Sequence, residues 1–316
     1  MPKGDSNCPH CGARVTPWDV AKAAVLSLLG TTDHTRKNLL CVACNRVVGE
    51  GADVCPHCGA KQTSSARLAR QLFGNIPSQR RATPVLLGVM VMLFVLQGLM
   101  SFQRPDFNLF SFLMGGDRLT SALLGGLLGP FIDYGNQWWR LINSNFLHFG
   151  GIHLFFNLSA LRVLGPMVED EYGTGWYLFA FLLTGISGFY ASYLISPLAF
   201  TVGASASLFG LIGVGIGFAY RERDRRQQQL KTLVQWAVLG VGIGFLNIIP
   251  MNNAAHIGGL VSGLAFGLVL SPRNASRRGF RRNLGTLLGY LSVGLSFLGF
   301  VLAILGRDET QRLLFG

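Results

Sequence analysis

The sequence predicts an all-α, polytopic membrane protein that begins with a small cysteine-rich head. Three observations favour this fold class. Half of the 316 residues are hydrophobic and only 13% are charged, which is too few charges for an ordinary soluble protein. Several long stretches contain no charged residue, and every cysteine lies before residue 59. The head, residues 1–65, therefore differs in character from the rest of the chain.

The head contains six cysteines, which form three CxxC pairs. The pairs are Cys8/Cys11, Cys41/Cys44 and Cys55/Cys58, and the hexapeptide CPHCGA occurs twice. The two thiolates of such a pair can face one Zn²⁺ across a tight turn, and two pairs complete a tetrahedral structural site. A segment this small buries too little core to be stable alone, so we expect bound zinc to supply its stability.

Six cysteines exceed the four that one zinc needs. The segment 41–61 resembles a short zinc ribbon, with Gly49 and Gly51 able to form a turn between its two cysteine pairs. We therefore expect Cys41, Cys44, Cys55 and Cys58 to bind the metal, while a site formed by Cys8, Cys11, Cys41 and Cys44 is the alternative. A disulfide framework is disfavoured because the head is predicted on the reducing side of a membrane. Zinc ribbons commonly dock other macromolecules, so we expect a protein partner for the head.

Five later stretches lack Asp, Glu, Lys and Arg altogether. They cover residues 83–103, 141–161, 176–220, 232–272 and 283–306. Each reaches the roughly 20 residues that cross a bilayer, and the two longest reach about twice that length. Turn-forming residues divide both long stretches, at Ser196-Pro197 and at 250–253. Seven spans result: six in a core at 83–272, after a basic linker at 66–82, and a seventh helix in 273–316 with a basic loop and a short tail.

Basic residues predict how the spans are oriented. Clusters of Lys and Arg precede the first span, lie at 221–231 between the fourth and fifth spans, and lie at 272–283 between the sixth and seventh. All three lie on the cytoplasmic side, which collects positive charge, if the N-terminus is cytoplasmic. The net charge of +12 is thus a topology signal rather than a nucleic-acid surface. We expect the lipid bilayer, and no nucleic acid, as the partner of this region.

Polar residues within the predicted spans point to function, because such groups are costly in a bilayer unless they are paired. His256 opens span six, where Gly259, Gly263 and Gly267 line one face and let a neighbouring helix approach closely. Ser205 lies near the start of span four, as His256 lies near the start of span six. A hydroxyl and an imidazole are thereby expected at similar depth, which is the pairing that nucleophilic catalysis requires.

Span two offers a second polar face. His153 and Asn157 are four residues apart and so share one side of a helix, from which they could donate hydrogen bonds to an oxyanion. His148 lies five residues before His153, about 140° round a helix, and we expect it at the membrane interface. Neither long apolar run contains an Asp or Glu that could orient His256. The sequence therefore predicts a catalytic dyad rather than a triad.

The segment GASAS contains two serines, Ser205 and Ser207. Residues two apart on a helix point in nearly opposite directions, so only one serine can face His256. Phe209 is four residues after Ser205 and shares its face. We expect Ser207 to bond a carbonyl one turn back along its own helix, which leaves Ser205 as the nucleophile.

Taken together, these residues resemble the rhomboid intramembrane serine proteases over roughly residues 82–272. The family motifs are WR in the first external loop, HxxxN, GxSG and AHxxGxxxG. In family order, they read here as Trp139-Arg140, His153 to Asn157, Gly203-Ala204-Ser205-Ala206, and Ala255-His256 followed by Gly259 and Gly263. The resemblance does not cover the zinc head, and a seventh span is an addition found in some family members.

The resemblance implies an endopeptidase of a bacterial inner membrane that cuts transmembrane proteins near the non-cytoplasmic face without a catalytic cofactor. Ser205 is then the nucleophile and His256 the general base and acid. The implied oxyanion hole comprises His153, Asn157 and the backbone amide of Ser205. The implied supporting residues are Phe209 stacked on the histidine, Trp139 and Arg140 bracing the first loop, and Glu169 tying down the cytoplasmic end of span two.

Ala206 departs from the family pattern, which has a second glycine there. We expect a sharp backbone turn at this position, which glycine adopts more readily than alanine, so activity could be reduced or retargeted without being lost. The alternative function is a catalytically silent rhomboid-like protein that binds transmembrane clients, although such proteins lack the serine or the histidine. A transporter is disfavoured because the spans contain no charged residue. A zincin is excluded because HExxH does not occur.

Overall fold

The computed structural model describes residues 39–40, 47–48, 54, 82–246, 251–271 and 279–315. The chain divides into two compact units, Met1–Ser78 and Gln79–Gly316. In the first unit, strands β1 (Leu39–Leu40) and β2 (Val47–Val48) pair antiparallel. All six cysteines, and therefore both predicted sets of zinc ligands, lie outside the described residues.

The second unit is built from helices, which confirms the mostly helical fold that the sequence predicts. In chain order they are α1 (Ala82–Phe102), α2 (Leu109–Gly115), α3 (Arg118–Leu124), α4 (Gly129–Asp133), α5 (Arg140–Asn143), α6 (Gly150–Tyr172), α7 (Thr174–Ile195), α8 (Ser205–Arg221), α9 (Arg223–Phe245), α10 (Asn253–Val269), α11 (Phe280–Leu305) and α12 (Arg307–Phe315). The short helices α2 to α5 all belong to the loop between α1 and α6.

Four of the described helices are long and apolar enough to cross a membrane, namely α1, α6, α7 and α11. Two further apolar helices, α8 and α10, have 17 residues each, near the lower limit for a spanning helix of about 17 residues. Helix α9 begins with the polar sequence RDRRQQQLK, so only its second half is apolar. Each of these seven helices overlaps one of the predicted spans in sequence, but α6 (Gly150–Tyr172) lies later in the chain than the predicted second span at 141–161.

Helix α8 is the central helix of the unit and packs against α6, α7, α9 and α10. Its contact with α10 is close because glycines face each other. A Cβ atom built on Gly217 would come within 2.7 Å of the carbonyl carbon of Gly267, and one built on Gly263 would clash with the Gly210 carbonyl group. The four-residue glycine spacing in span six predicts this close approach, which brings the N-terminal ends of α8 and α10 together.

At the opposite end of these helices, Glu169 caps the start of α1. Its carboxylate accepts hydrogen bonds from the backbone N–H groups of Ala82 and Thr83, at 3.0 and 3.2 Å, and from the Thr83 and Thr174 hydroxyls, both at 2.8 Å. The first N–H groups of a helix have no intrahelical partners, and a negative charge at this end interacts favourably with the helix dipole. Glu169 therefore fixes α1 against the connection between α6 and α7.

The loop after α1 is held to the end of that helix by Asp117. The carboxylate caps α3 through the Leu119 N–H at 2.9 Å, accepts from the Ser101 hydroxyl at 2.8 Å, and pairs with Arg104 at 3.2 Å. Burial raises the pKa of Asp117, but hydrogen bonds from Thr120 and Ser101 and the Arg104 charge outweigh it and hold the pKa below its ordinary value. The carboxylate is therefore ionised where it joins α1 to α3.

Candidate active site

Ser205 and His256 form the centre of the candidate site. The Oγ atom of Ser205, the first residue of α8, lies 2.9 Å from Nε2 of His256 in the first turn of α10. Asn252 caps α10 by accepting from the Ala255 N–H at 3.1 Å, and its carbonyl accepts from the His256 N–H at 3.1 Å. The imidazole is almost fully buried, with 3% of its residue surface exposed. This geometry allows the imidazole to take the serine proton.

Phe209 holds the imidazole from one side. Its ring is stacked on His256 with the centroids 4.4 Å apart and the planes 14° from parallel. Gly240 of α9 makes room for the ring, since a Cβ atom there would lie 2.5 Å from Cζ of Phe209. Nδ1 of His256 has no hydrogen-bond partner within the described part of the chain. The stacked ring, rather than a carboxylate, therefore orients the imidazole.

The turn that leads into Ser205 depends on Gly203. This glycine has φ of +131°, a conformation that residues with a side chain rarely adopt. Its N–H donates to the Ser144 carbonyl at 2.8 Å, and a Cβ atom on it would lie 2.6 Å from Cε1 of His153. The His153 ring thus packs directly on the backbone two residues before Ser205.

Asn157 lies one turn after His153 on α6 and is buried, with 4% exposed. Its Nδ2 donates to the His153 carbonyl at 2.8 Å, which uses one of the two amide hydrogens. The N–H groups of Ser205 and Ala206 open α8, where a helix supplies no intrahelical acceptor. These N–H groups are donors of the kind that stabilises an oxyanion.

His148 is part of the site, which the sequence analysis missed. We expected this residue at the membrane interface, but it is fully buried. Its Nε2 accepts from the Ala204 N–H at 3.4 Å, and its ring meets the His153 ring edge-on at 5.3 Å between centroids. The expectation was wrong because α6 begins only at Gly150, so helical spacing does not apply to His148.

Ser207 faces away from His256, as expected, but its bonding partners are different. Its Oγ lies 2.7 Å from both the Asn145 Oδ1 and the Phe181 carbonyl oxygen, rather than from a carbonyl one turn back on α8. The hydroxyl therefore joins α8 to α7 and to the end of the first loop. These partners are 26 and 62 residues away, so no local pattern identifies them.

Ala206 does not occupy a strained turn, so the expected sharp bend at this position was wrong. The residue lies inside α8 and has no positive φ; in this motif the positive φ belongs to Gly203. Ala206 is fully buried, and Gly188 of α7 lies opposite it: a Cβ atom on Gly188 would be 2.9 Å from the Ala206 Cβ. The alanine methyl group therefore fills space that a glycine on the neighbouring helix leaves.

Arg140 lies at the centre of the first loop and is fully buried. Its guanidinium carbon lies 3.9 Å from the ring centroid of Phe131 and 4.7 Å from that of Trp139. Its Nη1 donates to the carbonyls of Ala122 and Gly126 at 2.7 and 2.8 Å.

Among the described residues, no three metal-ligating side chains cluster here or elsewhere.

Comparison with known proteins identifies relatives of this chain. Residues 135–273 match the model of the Rhomboid domain. The chain is 35% identical over 188 residues to the rhomboid protease GluP of Bacillus subtilis, and 33% identical over 178 residues to RHOMBOID-like protein 4 of Arabidopsis thaliana. It is also 31% identical over 143 residues to YdcA of Bacillus subtilis.

These matches cover different shares of the relatives. The aligned residues make up 58% of this chain and 36% of GluP, and 56% of this chain and 44% of RHOMBOID-like protein 4. For YdcA they make up 45% of this chain and 71% of the relative. The alignment with YdcA therefore covers most of a relative, whereas the first two relatives extend well beyond the shared region.

Proposed function

The chain belongs to the rhomboid family, and on that premise we propose that it is an intramembrane serine endopeptidase that hydrolyses peptide bonds of transmembrane proteins. The observation that carries the proposal is the 2.9 Å contact between the Ser205 Oγ and the His256 Nε2. The name of GluP, a rhomboid protease, supports the same reaction class. The presence of both residues argues against a silent member of the family.

In the proposed reaction, the Ser205 Oγ attacks the carbonyl carbon of the scissile bond while its proton passes to Nε2 of His256. The carbonyl oxygen becomes an oxyanion. When the C–N bond breaks, His256 returns the proton to the departing amine, and an ester to Ser205 remains. Water then attacks this ester with His256 as base, which releases the new carboxylate and restores the serine hydroxyl.

We propose that Asn157, His153 and the Ser205 amide stabilise the oxyanion. Donors that are fixed before the reaction act most strongly where water is excluded, and Asn157 is almost fully buried. The contact between His153 and Gly203 supports this assignment because it holds the imidazole next to the turn that carries the nucleophile. The two sides of the site are thus fixed relative to each other.

The proposed substrates are single-span proteins, cut near the non-cytoplasmic end of the span where small residues weaken the helix. The proposed orientation has the N-terminus in the cytoplasm and the site near the other face of a bacterial inner membrane. The basic residues before the first span, at 221–231 and at 272–283 all fall on one side of a seven-span chain, which supports this orientation.

Purified full-length protein in detergent, incubated with a generic transmembrane substrate, tests the proposal. We expect wild type to cleave the substrate and to react with a fluorophosphonate probe, and Ser205→Ala to do neither. Binding of the substrate without cleavage or labelling by wild type would favour a silent, client-binding protein instead.

For the head, we propose one structural zinc bound by Cys41, Cys44, Cys55 and Cys58, with a protein partner docking on the folded ribbon. The support is the CxxC spacing and the antiparallel pair of strands that flanks Cys41 and Cys44 in the chain. Metal analysis of the full chain should give one zinc per molecule, lost in Cys55→Ser and kept in Cys8→Ser. Retention of full zinc by Cys55→Ser contradicts this ligand set.

A further inference from the structure

The buried guanidinium of Arg140 depends on the C-terminal helix α12 as well as on its own loop. Three of its four acceptors belong to residues 122–137: the Gln137 Oε1 at 2.7 Å and the two carbonyls described above. The fourth is the Thr310 hydroxyl, 2.9 Å from Nη2. Thr310 lies on α12, which is outside the region that matches the Rhomboid domain.

Thr310 is well placed for this contact. It is fully buried, and its hydroxyl donates either to the Gly306 carbonyl at 3.0 Å or to the Gln137 Oε1 at 3.3 Å. The neighbouring Glu309 accepts from Nε2 of Gln137 at 3.5 Å. Leu313, one turn later, reaches Gly135, where a Cβ atom would lie 2.8 Å from its Cδ1. One face of α12 therefore packs against the part of the first loop that contains Gly135, Gln137 and Arg140.

A short chain of hydrogen bonds runs from Arg140 to the turn that precedes the nucleophile. The Arg140 carbonyl accepts from the Ser144 N–H at 3.1 Å and from its hydroxyl at 2.7 Å. The Ser144 carbonyl in turn accepts from the Gly203 N–H at 2.8 Å. Gly203 has a positive φ and lies two residues before Ser205, so a shift of the α5 region would move the turn that presents the nucleophile.

We propose that α12, acting through Thr310 on Arg140, is a positioning element that fixes the first loop and thereby the turn before Ser205. This inference rests on the proposed function, since its catalytic effect is on cleavage by Ser205. Thr310 touches neither Ser205 nor His256, so it is a positioning residue. Arg140 makes no salt bridge within the described part of the chain. Its buried guanidinium is instead bonded by four neutral acceptors, of which the Thr310 hydroxyl is one.

The experiment compares Thr310→Val, which replaces the hydroxyl with a methyl group, with Thr310→Ser, which keeps the hydroxyl. Thr286→Val is the matched control, because Thr286 is an exposed residue at the other end of α11 and bonds only its own helix. For each full-length variant, kcat and KM for a transmembrane substrate and the rate of fluorophosphonate labelling are measured at equal folded fraction. Hydrogen exchange of residues 120–145 and 199–205 is measured in parallel.

We expect Thr310→Val to lower kcat and the labelling rate roughly five- to tenfold, less than the ~10²-fold that a 1 Å misplacement can cost, with KM within about twofold of wild type. Exchange in both segments should accelerate. Thr310→Ser should restore all three readouts, and Thr286→Val should match wild type. Where wild type labels, an unchanged labelling rate in Thr310→Val, an equal loss in Thr286→Val, or a failure of serine to restore the rate overturns the proposal.

The hydrogen-exchange arm separates this inference from the proposed function. If wild type neither cleaves nor labels, the protease proposal fails, and faster exchange at 199–205 in Thr310→Val alone would still support the structural coupling. If exchange at 199–205 is the same in wild type and Thr310→Val, α12 does not position the turn, whatever the activity.

Discussion

The ring of Phe209 lies nearly parallel to the imidazole of His256, with 4.4 Å between the ring centroids, on the side of α8 that also carries Ser205. Stacking of this kind fixes the plane of the imidazole without a hydrogen bond to Nδ1. In a catalytic triad a carboxylate performs that task, but none contacts Nδ1 within the described residues. The orientation of the base in this chain therefore depends on an apolar contact.

Phe209→Leu should lower the rate of substrate cleavage about 10- to 100-fold, because the imidazole loses its stacking partner and samples orientations in which Nε2 no longer reaches Ser205. Phe209→Tyr keeps the stacked face and should stay within about threefold of wild type. The measurement is kcat in detergent together with the melting temperature of each variant. Equal activities for Leu and Tyr at this position would show that stacking does not orient the base.

Gly203→Ala should abolish labelling of Ser205 and destabilise the fold. The positive φ of Gly203 lies in a region that residues with a side chain sparsely populate, which costs an alanine about 1–3 kcal/mol, and the added Cβ also meets the His153 ring. Gly242→Ala is the matched control on α9, where a Cβ atom meets nothing within 4 Å and the helix should gain up to about 1 kcal/mol. Thermal unfolding in detergent and probe labelling measure both effects. Normal labelling of Gly203→Ala would mean that the turn tolerates a side chain.

His148→Phe should reduce the labelling rate several-fold and the free energy of unfolding by about 1–3 kcal/mol, because the buried Ala204 N–H loses its acceptor. The phenyl ring retains most of the volume against His153, so the loss reports the missing nitrogen rather than a cavity. Labelling rates and denaturant unfolding of both forms provide the measurement. If neither quantity changes, His148 serves only as packing.

Local spacing in the sequence was sufficient to predict some of these features. Four-residue glycine repeats identify the face on which α8 and α10 meet, and the same spacing brings Phe209 onto the side of Ser205. These predictions depend only on the geometry of a single helix. For the same reason, spacing identified which of the two serines faces His256.

The features that sequence reasoning missed are set by contacts between distant segments or by where a helix begins. His148 was misplaced because α6 starts two residues after it, and Ala206 because the sharp turn occurs at Gly203, three residues earlier. The Thr310 hydroxyl that meets Arg140 is 170 residues away in sequence. No periodic pattern of one segment contains such information.

Ser207 provides the last test, because its hydroxyl is buried between α8, α7 and the first loop. Ser207→Ala removes the hydroxyl donor that lies between the Asn145 Oδ1 and the Phe181 carbonyl, and it should lower the free energy of unfolding by about 1–3 kcal/mol. Ser187→Ala is the control, since the Ser187 hydroxyl bonds only the Leu183 carbonyl on its own helix, and its removal should cost less than about 1 kcal/mol. Both variants should still label with fluorophosphonate, whereas Ser205→Ala should not label and should lose many orders of magnitude in cleavage rate. Labelling that survives in Ser205→Ala and disappears in a folded Ser207→Ala would show that Ser207 is the nucleophile, which contradicts the proposed dyad.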